Sequence, residues 1–139
     1  MLRLIKFATA MLLAVLCIDA AFGQVKYVGV HGVSAHLVSR GLNNANPGVY
    51  VWMHNGMSAG VYYNSYRQWV RYAAYSHDIT THTFGQLTLT VGVVHGYDQR
   101  ELLPMLAVSK RFGLAGVHGV RAAAALPEVL HLSYEYEVK

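Results

Sequence analysis

From residue 129 to 138 apolar and polar side chains alternate without a break. Leu130, Leu132, Tyr134, Tyr136 and Val138 fall on one face; Val129, His131, Ser133, Glu135 and Glu137 fall on the other. Residues 86–93 repeat the pattern, with Leu87, Leu89, Val91 and Val93 set against Gln86, Thr88, Thr90 and Gly92. A period of two is the signature of a strand with two unlike faces. After residue 24 no amphipathic helix of useful length stands out. Short segments rich in Val, Tyr, Thr and Leu recur instead, broken by Gly, Asn, Pro or Asp. They predict strands near 25–38, 48–54, 58–65, 67–76, 83–96, 104–112, 115–124 and 129–138.

The breaks have their own chemistry. Asn43 to Gly48 holds Asn, Pro and Gly, which favour turns. Asn55-Gly56 is a hairpin signal, because both residues accept positive φ. Asp98 to Glu101 and Leu126-Pro127 supply two more interruptions. Eight short antiparallel strands favour closure, which removes exposed sheet edges. The expected fold is therefore all-β: one small antiparallel barrel of about eight strands.

One apolar and one polar face per strand fits two opposite barrels. A water-soluble barrel turns the apolar face inward; a membrane barrel turns it outward to lipid. Periodicity does not choose between them. Ten Tyr and two Trp suit interfacial girdles and plain sheet packing equally well.

The N-terminus changes the accounting. Arg3 and Lys6 precede an apolar run from Phe7 to Ile18, and Ala21 and Gly23 are small residues of the kind a signal peptidase reads. Residues 1–23 are thus expected to be a cleaved secretory signal, with residues 24–139 as the barrel domain of an exported protein. The run is short of the ~20 apolar residues of a spanning helix. Removing it takes Lys+Arg from 11 to 9 and Asp+Glu from 7 to 6, leaving a charge of +3. With no basic run, nothing points to nucleic acid. The single cysteine, Cys17, leaves with the signal, so packing and hydrogen bonds alone hold the domain.

Eight histidines raise the question of a metal: His31, His36, His54, His77, His82, His95, His118 and His131. None forms a tight ligand motif, and the expectation is scattered strand and loop histidines with no metal or other cofactor. Glu135 and Glu137 share a face and would repel if buried together, so they are expected to be solvated. Two local patterns offer more. Ser34-Ala35-His36 precedes the Asn-rich turn, and Asn64-Ser65 ends the segment Gly60 to Tyr66. Serine supplies a hydroxyl, histidine removes its proton near neutral pH, and a third group orients the imidazole.

At these residues the chain resembles the PagP-like lipid A palmitoyltransferases, small eight-stranded outer-membrane barrels. The landmarks are His36 at the end of the first strand, the Asn43–Gly48 turn, GVYYNSY at 60–66, YAAY at 72–75, LTLTVGVVHGYD at 87–98 and LLPMLAVSKRFG at 102–113. The resemblance covers most of residues 34–138. It implies an outer-membrane location, phospholipid and glycolipid substrates, and transfer of an acyl chain to an acceptor such as lipid A. It implies Ser65 as nucleophile, His36 as general base and then acid, and Asn64 as the orienting group, where the family has Asp. A carboxylate stabilises imidazolium more than a neutral amide does. The rival expectation is a non-catalytic envelope barrel of the same fold with a lipid-binding or structural role, in the outer membrane or the periplasm, in which these three residues form a structural hydrogen-bond cluster.

Overall fold

The computed structural model describes residues 25–37, 41–97, 102–126 and 129–139. The segment read as a signal peptide and the Asp98–Glu101 break lie outside the described residues, as does Pro127. The chain forms eight strands: β1 (Val25–His36), β2 (Ala45–Met53), β3 (Met57–Tyr63), β4 (Trp69–Thr81), β5 (Gly85–His95), β6 (Leu103–Gly113), β7 (His118–Ala125) and β8 (Val129–Glu137). Each pairs antiparallel with its neighbour in sequence, and β8 closes on β1 through Tyr27↔Glu137 to His36↔Val129. Every strand therefore has two partners and no edge is left open. Successive connections alternate between two ends. Residues 54–56, 82–84 and 114–117 make short turns at one end, here the turn end. The opposite, loop end carries the connections 37–44, 64–68, 96–102 and 126–128.

The structure decides which face points inward. On β8, Leu130, Leu132, Tyr134 and Tyr136 are exposed on the outer wall, while Ser133 and Glu135 are buried in the lumen. β5 repeats this, with Leu89, Val91 and Val93 outside and Thr88 and Thr90 inside. On β1 the outer wall is Val28, Val30 and Val33. The barrel is apolar outside and polar inside, the reverse of a water-soluble domain. Outward aromatics sit at two levels. Tyr63 and Trp69 pack together at the loop end (ring centroids 5.6 Å apart), and Phe112, Tyr134 and Tyr136 lie toward the turn end.

Local chemistry explains the connections. At residues 54–56 only Gly56 takes a positive φ (89°), and its amide bonds to the Met53 carbonyl at 3.0 Å. Asn55 does not share the left-handed conformation expected of a two-residue hairpin; its Oδ1 accepts the Met57 amide instead. The result is a three-residue connection. The Asn43–Gly48 turn ends earlier than its composition suggests, because β2 starts at Ala45. Pro47 sits inside the strand, where the β1–β2 register slips between His31↔Gly48 and Val33↔Ala45. A proline without an N–H is tolerated where the ladder is already broken.

Candidate functional site

The lumen has three layers, each built from inward positions of several strands. At the turn end, Glu135 on β8 is fully buried. Arg121 on β7 holds it with two bonds, Nε to Oε1 at 2.6 Å and Nη2 to Oε2 at 3.2 Å. Arg111 on β6 brings Nε to 3.1 Å from Oε2, a charge contact without hydrogen-bond alignment. Its Nη2 lies 3.7 Å from the half-exposed Glu137. The Tyr50 hydroxyl donates to Glu135 Oε1 at 2.7 Å, and Arg121 Nη1 donates to Ser109 Oγ at 3.0 Å. Arg121 stacks on the Trp52 ring at 4.2 Å and Arg111 on the Tyr27 ring at 4.6 Å. A buried carboxylate is tolerated only when paired and hydrogen-bonded, and here three hydrogen-bond donors and a second guanidinium charge converge on it. The expectation of solvated glutamates is corrected for Glu135: Arg111 and Arg121, directly paired across β6 and β7, neutralise it inside the barrel.

The middle layer is aromatic and imidazole. His31 Nδ1 lies 2.9 Å from His131 Nε2, and the Tyr72 hydroxyl lies 3.3 Å from His31 Nε2. The Tyr50 and Tyr62 rings flank His31, with centroids 4.7 and 5.2 Å away. Glycine makes room for them. A Cβ at Gly29 would stand 2.1 Å from the Tyr50 ring, and one at Gly60 would stand 2.8 Å from that of Tyr72.

Above these rings the lumen opens. A cavity of about 510 Å³ runs from Ser65, Tyr66 and Tyr97 at the loop end down to Arg121 and Ser133. Its walls differ. β1 to β4 contribute His31, Ser34, Asn46, Tyr62 and Tyr72; β6 and β7 contribute Leu103, Met105, Ala107, Ala123 and Ala125.

The three site residues read from the sequence all lie at the loop end, but they are bonded to other groups. His36 and Ser65 both line the mouth of the cavity. His36 Nδ1 faces Asn44 Oδ1 at 3.2 Å. Ser65 Oγ accepts from Asn46 Nδ2 at 3.5 Å, and Asn46 in turn bonds Ser34 Oγ and the Tyr63 carbonyl. Asn64 is fully buried and organises its own loop. Its Oδ1 accepts the amides of Tyr66 (3.0 Å) and Gln68 (2.8 Å), and its carbonyl accepts the amide of Arg67, which has φ 63°. That oxygen is therefore committed to the 64–68 turn and does not orient His36.

Sequence reasoning missed the Arg121–Glu135–Arg111 cluster and the His31–His131 pair. A signal for the first was present. Arg111 and Glu135 fall on alternation faces shared with Ser109 and Ser133, so one strand parity predicts both the buried serines and the buried charges. The histidines are 100 residues apart, and only closure of β1 on β8 brings them together. Among the described residues no three His, Cys, Asp or Glu side chains are grouped to hold a metal ion. In comparisons with known proteins, no family model matches the chain and no curated protein matches it.

Proposed function

We propose that this chain is a non-catalytic barrel of a Gram-negative outer membrane, with lipid against its outer wall and a polar well open at the loop end. The observation that carries this reading is the inverted polarity: Val91, Leu106, Leu130 and Leu132 face outward while Ser76, Thr90, Arg121 and Glu135 are buried within. A bilayer explains the outer wall, since lipid is the solvent in which such a surface is stable. The dimensions agree. Strands of 7 to 13 residues, rising about 3.3 Å per residue and tilted about 40°, span roughly 18 to 33 Å, which brackets a band of about 25 Å. Connections of three or four residues at one end, against three of five to eight residues at the other, fit the same orientation. The non-catalytic reading is favoured because Asn64 Oδ1 accepts two amides of its own turn and His36 Nδ1 faces Asn44, so neither is aligned on Ser65.

The test is expression in Gram-negative cells followed by membrane fractionation and folding into phospholipid vesicles. The chain is expected in the outer-membrane fraction, migrating differently on gels before and after boiling. Leu132→Arg, in the middle of β8's outer face, is expected to cost about 2–4 kcal/mol in vesicles. Recovery in the soluble periplasmic fraction, with Leu132→Arg tolerated there, would sink the reading.

A second reading, the lipid acyltransferase implied by the family resemblance, is favoured by one observation: His36 and Ser65 line the same cavity mouth. In it His36 takes the Ser65 proton as the oxygen attacks a phospholipid ester and gives it to the departing lysophospholipid oxygen; His36 then takes the proton of a glycolipid hydroxyl as that oxygen accepts the acyl group, and returns it to Ser65. Mass spectrometry of lipid A from cells expressing the chain or Ser65→Ala decides it. An added acyl group present only with the unmutated chain establishes transfer; identical lipid A in both excludes it.

A further inference from the structure

We infer that the His31–His131 pair is a binding site for a late first-row divalent metal ion, reached through the loop-end cavity. The inference concerns the middle of the lumen and stands whether or not the barrel is in a membrane. His31 Nδ1 and His131 Nε2 converge to 2.9 Å, and both rings line the cavity. An ion bonded to two imidazoles at about 2.0–2.1 Å holds the two nitrogens about 3.0–3.3 Å apart. The nitrogen separation is within a few tenths of an ångström of that span, and each ring must also turn so that its lone pair leaves the N···N line and meets the other at the ion.

Two independent features aim the pair. The first is a β-bulge. Between His31 and Val33 strand β1 advances two residues while β8 advances one, from Ser133 to Leu132. The extra residue is Gly32, and the slip turns His31 and then Ser34 inward on either side of it. Bulges re-aim side chains in this way and are concentrated near functional sites. The second is the far nitrogen of His31, which lies 3.3 Å from the Tyr72 hydroxyl. A proton on Nε2, shared with that oxygen, leaves Nδ1 as the lone pair. This is how an outer partner orients a histidine ligand.

The charge environment permits a dication. Below the pair, Arg111 and Arg121 are matched by Glu135 and Glu137, so the floor presents no net positive charge. The polar wall above it, with Ser34, Asn46 and Tyr62, accommodates the water molecules that complete the coordination. Two imidazoles select against hard cations such as Ca²⁺ and Mg²⁺, and among late divalent ions Cu²⁺ binds most tightly.

The experiment is titration of the full chain, folded in detergent micelles, with copper(II) chloride, read by electron paramagnetic resonance. One ion per chain with splitting from two nitrogens is expected. His31→Phe or His131→Gln should weaken binding by more than the about 100-fold that loss of an outer partner can cost, and should abolish the two-nitrogen pattern. Tyr72→Phe should keep the pattern and weaken binding about tenfold. His54→Ala, in an exposed turn at the far end, should change nothing. If the unmutated chain binds no copper, or if His131→Gln folds and keeps its affinity and spectrum, the site does not exist. His131→Gln retains a polar group facing His31, so a folded variant is available for that comparison.

Discussion

The floor and the mouth of the lumen are both polar, yet they are held in different ways. At the floor, Arg111, Arg121, Glu135 and Tyr50 come from β6, β7, β8 and β2, and every bond crosses between strands. At the mouth, Asn64 bonds amides two and four residues away, within one loop. Floor contacts tie the closed sheet together; the Asn64 contacts shape a connection. The difference sets where substitutions should be felt, and it predicts a steep gradient of sensitivity along the barrel axis.

The largest effect belongs to Glu135. Glu135→Ala leaves two guanidinium groups inside the barrel without their shared carboxylate, and is expected to cost about 3–5 kcal/mol. Denaturant unfolding in vesicles measures it. The size of that loss reflects stranded charge rather than the worth of the cluster. Replacing Arg111, Arg121 and Glu135 together by Met should therefore recover most of the stability. If the triple variant is as unstable as Glu135→Ala, the cluster does more than neutralise itself.

Asn64→Ala comes next. It removes the acceptor of two backbone amides, each bond worth about 0.5–1.5 kcal/mol, so a total of about 1–3 kcal/mol is expected. The same unfolding measurement checks it, and protease cutting within residues 64–68 should rise in parallel. A loss as large as that of Glu135→Ala would erase the distinction between floor and mouth.

Much of this was legible in the sequence. Eight strands follow from β-forming segments set between Gly, Asn, Pro and Asp breaks, and the face split of β5 and β8 follows from period-two patterning, because a pleated strand places alternate residues on opposite sides. The sense of the barrel was not legible, since inverting both faces preserves the pattern. Nor were partners across the closure. The His31 to His131 contact depends on a one-residue bulge at Gly32, and a one-residue slip reverses which side chains face inward. Asn64 illustrates a third limit. Asn beside Ser reads as chemistry or as turn geometry with equal ease, and only the Tyr66 and Gln68 amides show which is made.

Glu137 sharpens the comparison from within the floor itself. It shares a strand face with Glu135, but its side chain is 42% exposed and its contact with Arg111 is 3.7 Å long. Solvent screening limits such a pair to about 0–1 kcal/mol. Glu137→Gln should therefore shift the unfolding midpoint far less than Glu135→Gln, although both remove one carboxylate from the same strand. Equal shifts would mean that net charge, not burial, governs the floor.

Ser65→Ala should have the smallest effect. The hydroxyl lies at the partly open mouth, and its hydrogen bond from Asn46 is long at 3.5 Å. Asn46 keeps its bonds to Ser34 and the Tyr63 carbonyl without it. A change within about 0.5 kcal/mol is expected, as for substitutions that open no cavity and strand no charge. The unfolding midpoint in vesicles measures this directly. A stable Ser65→Ala barrel also makes the lipid A comparison decisive, because any loss of acyl transfer would then reflect a missing hydroxyl in a folded protein. A loss above about 2 kcal/mol, in the range of a broken buried network, would instead make Ser65 part of the frame that joins the 64–68 loop to β2.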